Sequence, residues 1–224
     1  MVLGLVAVIL VLVAGCATTK RVAVQDQPAV CGFLGDACEH LKPGAKGEAG
    51  LRYVNPEAQF TQYDKAKVEA VGFFGTEKVP PKEQEALTAL FHKSLTEALA
   101  KRYQIVEEPG PGVARVQVAI LDAEAATPEA RSITMVIPQA RLLSGGYALV
   151  TGDYPFSGES QAAAKFTDAE TGQLLAAGVD RRAGGGAMQT AAQWQWGDAE
   201  NAIKAWSEMI ANAMFAYTSG ARKP

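Results

Sequence analysis

The chain has 224 residues, with 21 Lys and Arg against 24 Asp and Glu and a net charge of −3. That near-neutral, slightly acidic balance gives no electrostatic case for nucleic-acid binding. The length suits one domain with a real core and leaves little for a second.

An apolar run from Val2 to Val13 leads into Val13-Ala14-Gly15-Cys16. A run of this kind followed by small residues is the pattern of a secretory signal peptide, and it is too short to span a bilayer, which needs about 20 apolar residues. The tetrapeptide matches the bacterial lipobox. Small side chains at Ala14 and Gly15 let a peptidase bind the extended backbone, and the thiol of Cys16 takes up a diacylglyceryl group. Residues 1–15 are expected to be removed, with Cys16 as the lipidation site carrying palmitate-type chains. Two acyl chains or more exceed the threshold for stable anchoring, at about 0.8 kcal/mol per buried CH₂. No Lys or Arg precedes the run, which suggests a translation start upstream of Met1. An ordinary signal peptide with a chance cysteine, and an uncleaved anchor, are the competing readings. Ala17 follows the cysteine where an Asp would retain the protein at the inner membrane; by analogy with enteric lipoproteins this favours the outer membrane, facing the periplasm. No later apolar run approaches spanning length, so the lipid is the expected membrane attachment.

Residues 16–30 read as the lipidated cysteine and a polar tether, and 31–220 as a single periplasmic domain. The segment from Cys31 to Gly44 is punctuated by Gly and Pro and is expected to be irregular, pinned by Phe33, Leu34 and Leu41. Cys31 and Cys38 are an even pair in an oxidising compartment, so a disulfide is favoured. A metal site from Cys31, Cys38 and His40 fits no common zinc spacing, and free thiols are the third reading.

Leu51 to Pro56 is an extended segment stopped by its proline. Loose alternation predicts a strand over Lys67 to Phe74. A helix begins at Pro80-Pro81, with Leu87, Leu90, Phe91, Leu95, Ala98 and Leu99 as its apolar stripe. His92 borders that stripe and reads as an ordinary helix residue. Tyr103 to Val106 and the alternating Val113 to Leu121 are expected to form an antiparallel hairpin around Pro109-Gly110-Pro111-Gly112.

Thr127 to Gly146 reads as a long ordered loop. Gly152 to Arg182 reads as a second hairpin turning at Asp168-Ala169-Glu170-Thr171-Gly172, although Ala162, Ala163 and Ala164 are poor strand formers. Asp180-Arg181-Arg182 reads as a solvated strand end. Gly184-Gly185-Gly186 opens a loop carrying Trp194 and Trp196, and a last helix is expected from Asp198 as its N-cap. Its stripe runs through Ala202, Ile203, Trp206, Met209, Ile210, Ala213, Met214 and Tyr217. Two amphipathic helices on one face of a mainly antiparallel sheet is an α+β fold.

The chain resembles a bacterial lipoprotein family known as domain of unknown function 3313 (DUF3313). The matching stretches are Cys31-Gly32-Phe33-Leu34-Gly35-Asp36, Leu51 to Pro56, Glu108-Pro109-Gly110-Pro111-Gly112, Asp168 to Gly172 before Leu174, and Trp196-Gly197-Asp198. The resemblance implies an envelope lipoprotein and brings no catalytic residue. The pair Cys31 and Cys38 is not read as a family hallmark. The layout is also similar to periplasmic accessory lipoproteins of transport and secretion systems, at the level of fold alone.

No G-x-S-x-G, H-E-x-x-H, P-loop lysine or C-x-x-C occurs, and no cofactor motif is found. Two functional classes follow. The first is a non-enzymatic adaptor that binds an envelope protein, with Trp194 and Trp196 as contact residues because Trp is enriched at binding hot spots; the alternative is that both pack under the last helix. The second is a small-ligand binder or an enzyme with an unrecognised site, which requires a deep pocket between sheet and helices.

Overall fold

The structure, a computed structural model, describes residues 19–75, 79–123, 158–184 and 196–224. Among these residues nine strands form one sheet: β1 (Lys20–Val22), β2 (Lys42–Pro43), β3 (Leu51–Val54), β4 (Lys65–Val68), β5 (Gly72–Phe73), β6 (Gln104–Ile105), β7 (Val113–Ala123), β8 (Glu159–Asp168) and β9 (Leu174–Ala183). Three α-helices accompany them: α1 (Gln27–Leu34), α2 (Pro81–Ala100) and α3 (Gly197–Thr218). The order is β2-β3-β9-β8-β7-β4-β6. Along its outer edge β9 pairs first with β3 and then with β1. Pairing is antiparallel except where β4 meets β6 and β7, and where β5 meets β7. The fold is α+β, as the periodicity implies, with α2 and α3 packed together on one face.

The long β8–β9 hairpin follows from its turn chemistry. Oδ1 of Asp168 accepts hydrogen bonds from the amides of Glu170 and Thr171 and from the Thr171 hydroxyl, and Gly172 supplies a φ of +75°. In β7, Ala114, Val116, Val118 and Ile120 face α2 and α3, and Ala119 and Leu121 face the other way. Helix α1 and a 3-10 helix (Gly35–His40) cover that second face, so the sheet is buried on both sides. This explains the alanines of β8: Ala162 and Ala164 lie under the long helices and Ala163 lies under α1, where small side chains let both layers approach.

Several expectations change. Tyr103–Val106 and Val113–Leu121 do not pair with each other. β4 inserts between β6 and β7, parallel to both, and the Pro-Gly segment crosses its start; the carbonyl of Gly112 accepts from the Lys65 amide at 3.2 Å. The strand expected over 67–74 is two short strands, β4 and β5, interrupted at Glu69 to Val71. The Cys31–Gly44 segment is largely helical, because Asp26 caps α1 through the Ala29 amide and Pro28 sits in its first turn. Residues expected as a tether carry β1 and the start of α1.

Asp198 is not the N-cap of the last helix; that position is Trp196, and the carboxylate of Asp198 accepts the Gly158 amide at 3.0 Å. A Cβ at Gly184 would lie 2.4 Å from that carboxylate, so the glycine lets the end of β9 pass over it. The loop expected over Thr127–Gly146 lies outside the described residues. Among the described residues no helix is long and apolar enough to cross a membrane.

Candidate functional site: a cleft under the last helix

The two long helices meet tightly where their stripes are large. The rings of Phe91 and Trp206 stack at 5.9 Å, and Arg102 covers Phe215 while donating to Asn212. Beyond Trp206, toward the β3 edge, the sheet presents Ala162, Ala164, Ala176 and Gly178, which have little or no side chain to meet α3. The result is a cleft of about 460 Å³ between α3 and the sheet. Its size falls within the range of small-molecule pockets. Met209, Ile210, Ala213 and Met214 line it from α3, and Phe60 and Tyr63 also line it.

The outer wall is the loop of residues 44–50. Gly178 is what lets that loop lie close: a Cβ there would meet the Ala49 methyl at 3.2 Å and the Leu51 carbonyl at 3.3 Å. The loop is fixed from within by Asp180, which is buried and accepts from the Gly50 amide (2.8 Å), Trp206 Nε1 (2.9 Å) and Arg182 Nε (2.9 Å). One carboxylate thereby ties the loop, α3 and β9 together. Asp180-Arg181-Arg182 is thus no solvated strand end: Asp180 and Arg181 are buried, and Arg181 pairs with Glu159.

The mouth opens between this loop and the exposed α3 residues Asn212 and Ala213. Glu48 sits there, with Oε2 accepting from the Ala45 amide and Arg52 Nε, each at 2.8 Å, and Oε1 paired with Arg222. Arg52 also donates to the Tyr217 hydroxyl at 2.6 Å, and the Arg222 guanidinium lies 5.6 Å from the Tyr217 ring centre. Burial alone would raise the Glu48 pKa. The Ala45 amide and the two arginines outweigh it and hold the carboxyl below its ordinary range. With Lys46 also exposed at the rim, the mouth carries three cations to one carboxylate, while the interior is mainly apolar, Asp180 excepted.

The lining contains no histidine, serine or cysteine among the described residues. Among the described residues no group of three His, Cys, Asp or Glu side chains could hold a metal. Cys31 and Cys38 form a disulfide with Sγ–Sγ 2.01 Å, which takes both thiols out of the metal set considered with His40. The His40 ring lies 5.5 Å from that of Tyr53, and His92 is half-buried on α2. Of the two readings of Trp196, the structure takes the packed one: only 3% exposed, it lies in the main core at the start of α3 and is not a surface contact residue. Trp194 and Cys16 lie outside the described residues.

Glu48, Arg52 and Arg222 escaped the sequence reading because they converge from a loop, a strand and the C-terminal tail. The signal present in the sequence was the run of alanines in β8, which reads as a weak strand until the layer above it is known.

The family model described as "Protein of unknown function (DUF3313)" matches residues 31–210. No curated protein matches the chain. Among solved structures, the PelC dodecamer from Paraburkholderia phytofirmans is 10% identical over 73% of this chain and 94% of its own, with a TM-score of 0.40. Protein XCC0632 from Xanthomonas campestris, of family DUF330, is 10% identical over 75% of this chain and 93% of its own, with a TM-score of 0.38. A candidate lipoprotein from Caulobacter crescentus CB15 is 12% identical over 69% of this chain and 94% of its own, at 0.34. Likeness of this degree does not extend to activity, ligand or assembly.

Proposed function

The chain belongs to the DUF3313 family, whose description assigns no activity, and on the geometry of the cleft we propose that it is a lipid-anchored, non-enzymatic envelope protein that binds a small apolar or amphiphilic ligand. The observation that carries this reading is the mainly apolar space of about 460 Å³ under α3, with exposed charged side chains among its lining. The lipobox supports the address: cleavage before Cys16, acylation of its sulfur, and transfer to the periplasmic side of the outer membrane, which Ala17 in place of an Asp favours. The absence from the sequence of the catalytic motifs sought supports a binding role.

Two measurements test this. Mass spectrometry of protein purified from cell membranes should find residues 1–15 removed and acyl chains on Cys16. The mature chain carrying Cys16→Ser should bind an apolar fluorescent dye such as phenylnaphthylamine, and Ala213→Trp should abolish that signal. Dye binding that survives the filled cleft would remove it as the binding site.

The adaptor reading rests on a different surface once Trp196 is seen to be buried. Phe74 is 58% exposed, with its ring 5.9 Å from Phe33, and is the contact residue that this second reading favours. Capture of a specific envelope protein from membranes, lost on Phe74→Ser, would support it.

A further inference from the structure

Two features of the cleft concern where it opens and which charge stands at its mouth. Arg21 Nη1 donates to the carbonyls of Ala45 (3.0 Å) and Glu48 (3.1 Å), so the loop forming the outer wall is clasped by a residue five positions after Cys16. Deeper in, Asp180 and Met209 line the cleft and both contact Arg182, which also donates to the Thr19 hydroxyl at 3.0 Å. Thr19 is three positions after Cys16. An extended chain covers at most about 3.6 Å per residue, so the anchor lies within roughly 11 Å of Thr19. The headgroup layer of one leaflet is itself about 5–8 Å thick. A domain held through Cys16 therefore rests the β1–β9 corner, and the loop that Arg21 clasps, against the membrane surface.

At that place the rim presents Lys46, Arg52 and Arg222 against the single carboxylate of Glu48, and the space behind it is lined mainly by apolar side chains, the Asp180 carboxylate there being taken up by Gly50, Trp206 and Arg182. Cations at the mouth and methyl groups inside suit a molecule with an anionic head and a hydrocarbon tail. We propose that the cleft takes an acyl chain of an anionic membrane lipid, drawn from the leaflet in which Cys16 is anchored, with the headgroup held by Lys46 and Arg222. The proposal rests on the ligand-binding and anchoring readings above. The short spacing between Cys16 and β1 then has a purpose: it keeps the mouth at the depth where the lipid is.

The test uses the full acylated protein in phosphatidylcholine vesicles with or without phosphatidylglycerol, doped with a phosphatidylglycerol carrying a diazirine near the end of one acyl chain. After illumination, peptide mapping should place adducts on the α3 segment containing Met209 and Ala213. Unlabelled phosphatidylglycerol in the vesicles should compete, and unlabelled phosphatidylcholine should not. Ala213→Trp should remove the α3 adducts. Lys46→Glu with Arg222→Glu should lower them about fivefold or more, given about 1 kcal/mol per basic residue near an anionic surface. Both sets of changes are at exposed positions, and a thermal unfolding scan checks that each variant is folded.

Adducts confined to other surfaces, or indifferent to both sets of changes, would overturn the proposal. So would equal labelling of unanchored Cys16→Ser protein added to the same vesicles, because entry would then owe nothing to the anchor. If the Cys16→Ser chain still binds the apolar dye while no lipid adduct appears, lipid loading fails and the ligand-binding reading stands. If neither is seen, both fail.

Discussion

The two faces of the sheet hold their helices by different means. On the α2–α3 face the buried set includes Leu87, Phe91, Leu95, Leu99, Ile203 and Trp206, a core built from large side chains. On the α1 face, four of the eight buried side chains are alanines, at Ala37, Ala119, Ala163 and Ala177. That small area is supplemented by cross-links: the Cys31–Cys38 disulfide, the paired hydrogen bonds between the Gln161 amide and the Gln25 backbone (2.8 and 2.7 Å), and Lys165 over the Phe33 ring. Where apolar area is scarce, covalent and polar ties take its place. The larger face can leave a cleft unfilled because its stability is concentrated between α2 and α3.

If that division is right, the greatest loss should come from the large-residue face. Phe91→Ala removes a fully buried ring stacked on Trp206 and should cost about 3–5 kcal/mol in chemical denaturation. A loss below about 1 kcal/mol would mean that the helices are held elsewhere.

Removing the disulfide should come next. The bridge spans a sequence separation of 7, and the loop-closure estimate for so short a ring is about 2–3 kcal/mol. With Cys31→Ser and Cys38→Ser, amide exchange should rise in α1 and the 3-10 helix while α2 and α3 keep their protection. If all three helices lose protection together, the two faces are one cooperative unit and the comparison fails.

Trp206→Phe probes the link between the cleft and the core. It keeps most of the packing but removes the indole donor from buried Asp180, and a hydrogen bond to a charged group is worth about 2 kcal/mol. The Gly50 and Arg182 bonds to the same carboxylate remain, so the loss should be accompanied by a looser 44–50 loop and weaker dye binding in the cleft. Unchanged dye affinity would place the control of the mouth in Glu48 and its arginines instead.

How much of this was legible in the sequence depends on the range of the interactions involved. The stripes of α2 and α3 and the turn at Asp168 are local signals, and they fall where periodicity and turn chemistry put them. The position of β4 between β6 and β7 is not local. A short strand carries no mark of its partner, and the nearby Pro-Gly turn favoured a hairpin that the parallel crossover replaces. The helical character of Cys31–His40 was hidden by its glycines, because the cap at Asp26 and the covering of Ala119 and Ala163 by α1 are what stabilise it. Trp196 stayed open between two readings for a related reason: a Gly-rich loop suggests exposure, whereas the residue is the first of α3's buried side to meet the core. The cleft could not be read at all, since it arises from missing side chains on β8 and β9 that sequence registers only as poor strand propensity.

The smallest effect concerns the turn end of the sheet, where the comparison becomes one of pH. Tyr63 is 3% exposed and donates to Asp168 Oδ2 at 2.9 Å; burial, reinforced by that carboxylate, pushes its pKa up to about 12. A folded value above the ordinary 10 means that the stabilisation is complete below about pH 10 and is lost as pH rises through 12. Asp168 runs the other way. Burial would raise it, but the Thr171 amide and hydroxyl, the Tyr63 hydroxyl and the Glu170 amide bring it below 3.8, so its contribution holds above that value and is lost as pH falls through the folded one. Two of the ties of the α1 face, the disulfide and the Gln161–Gln25 hydrogen bonds, do not titrate in these ranges. Tyr63→Phe should therefore cost about 1 kcal/mol at neutral pH and flatten the fall in stability between pH 10 and 12. Part of that fall should remain, because burial raises Tyr103 as well. An alkaline limb identical in wild type and Tyr63→Phe would move the sensitivity from this turn to Tyr103, whose hydroxyl meets Thr218 at the end of α3.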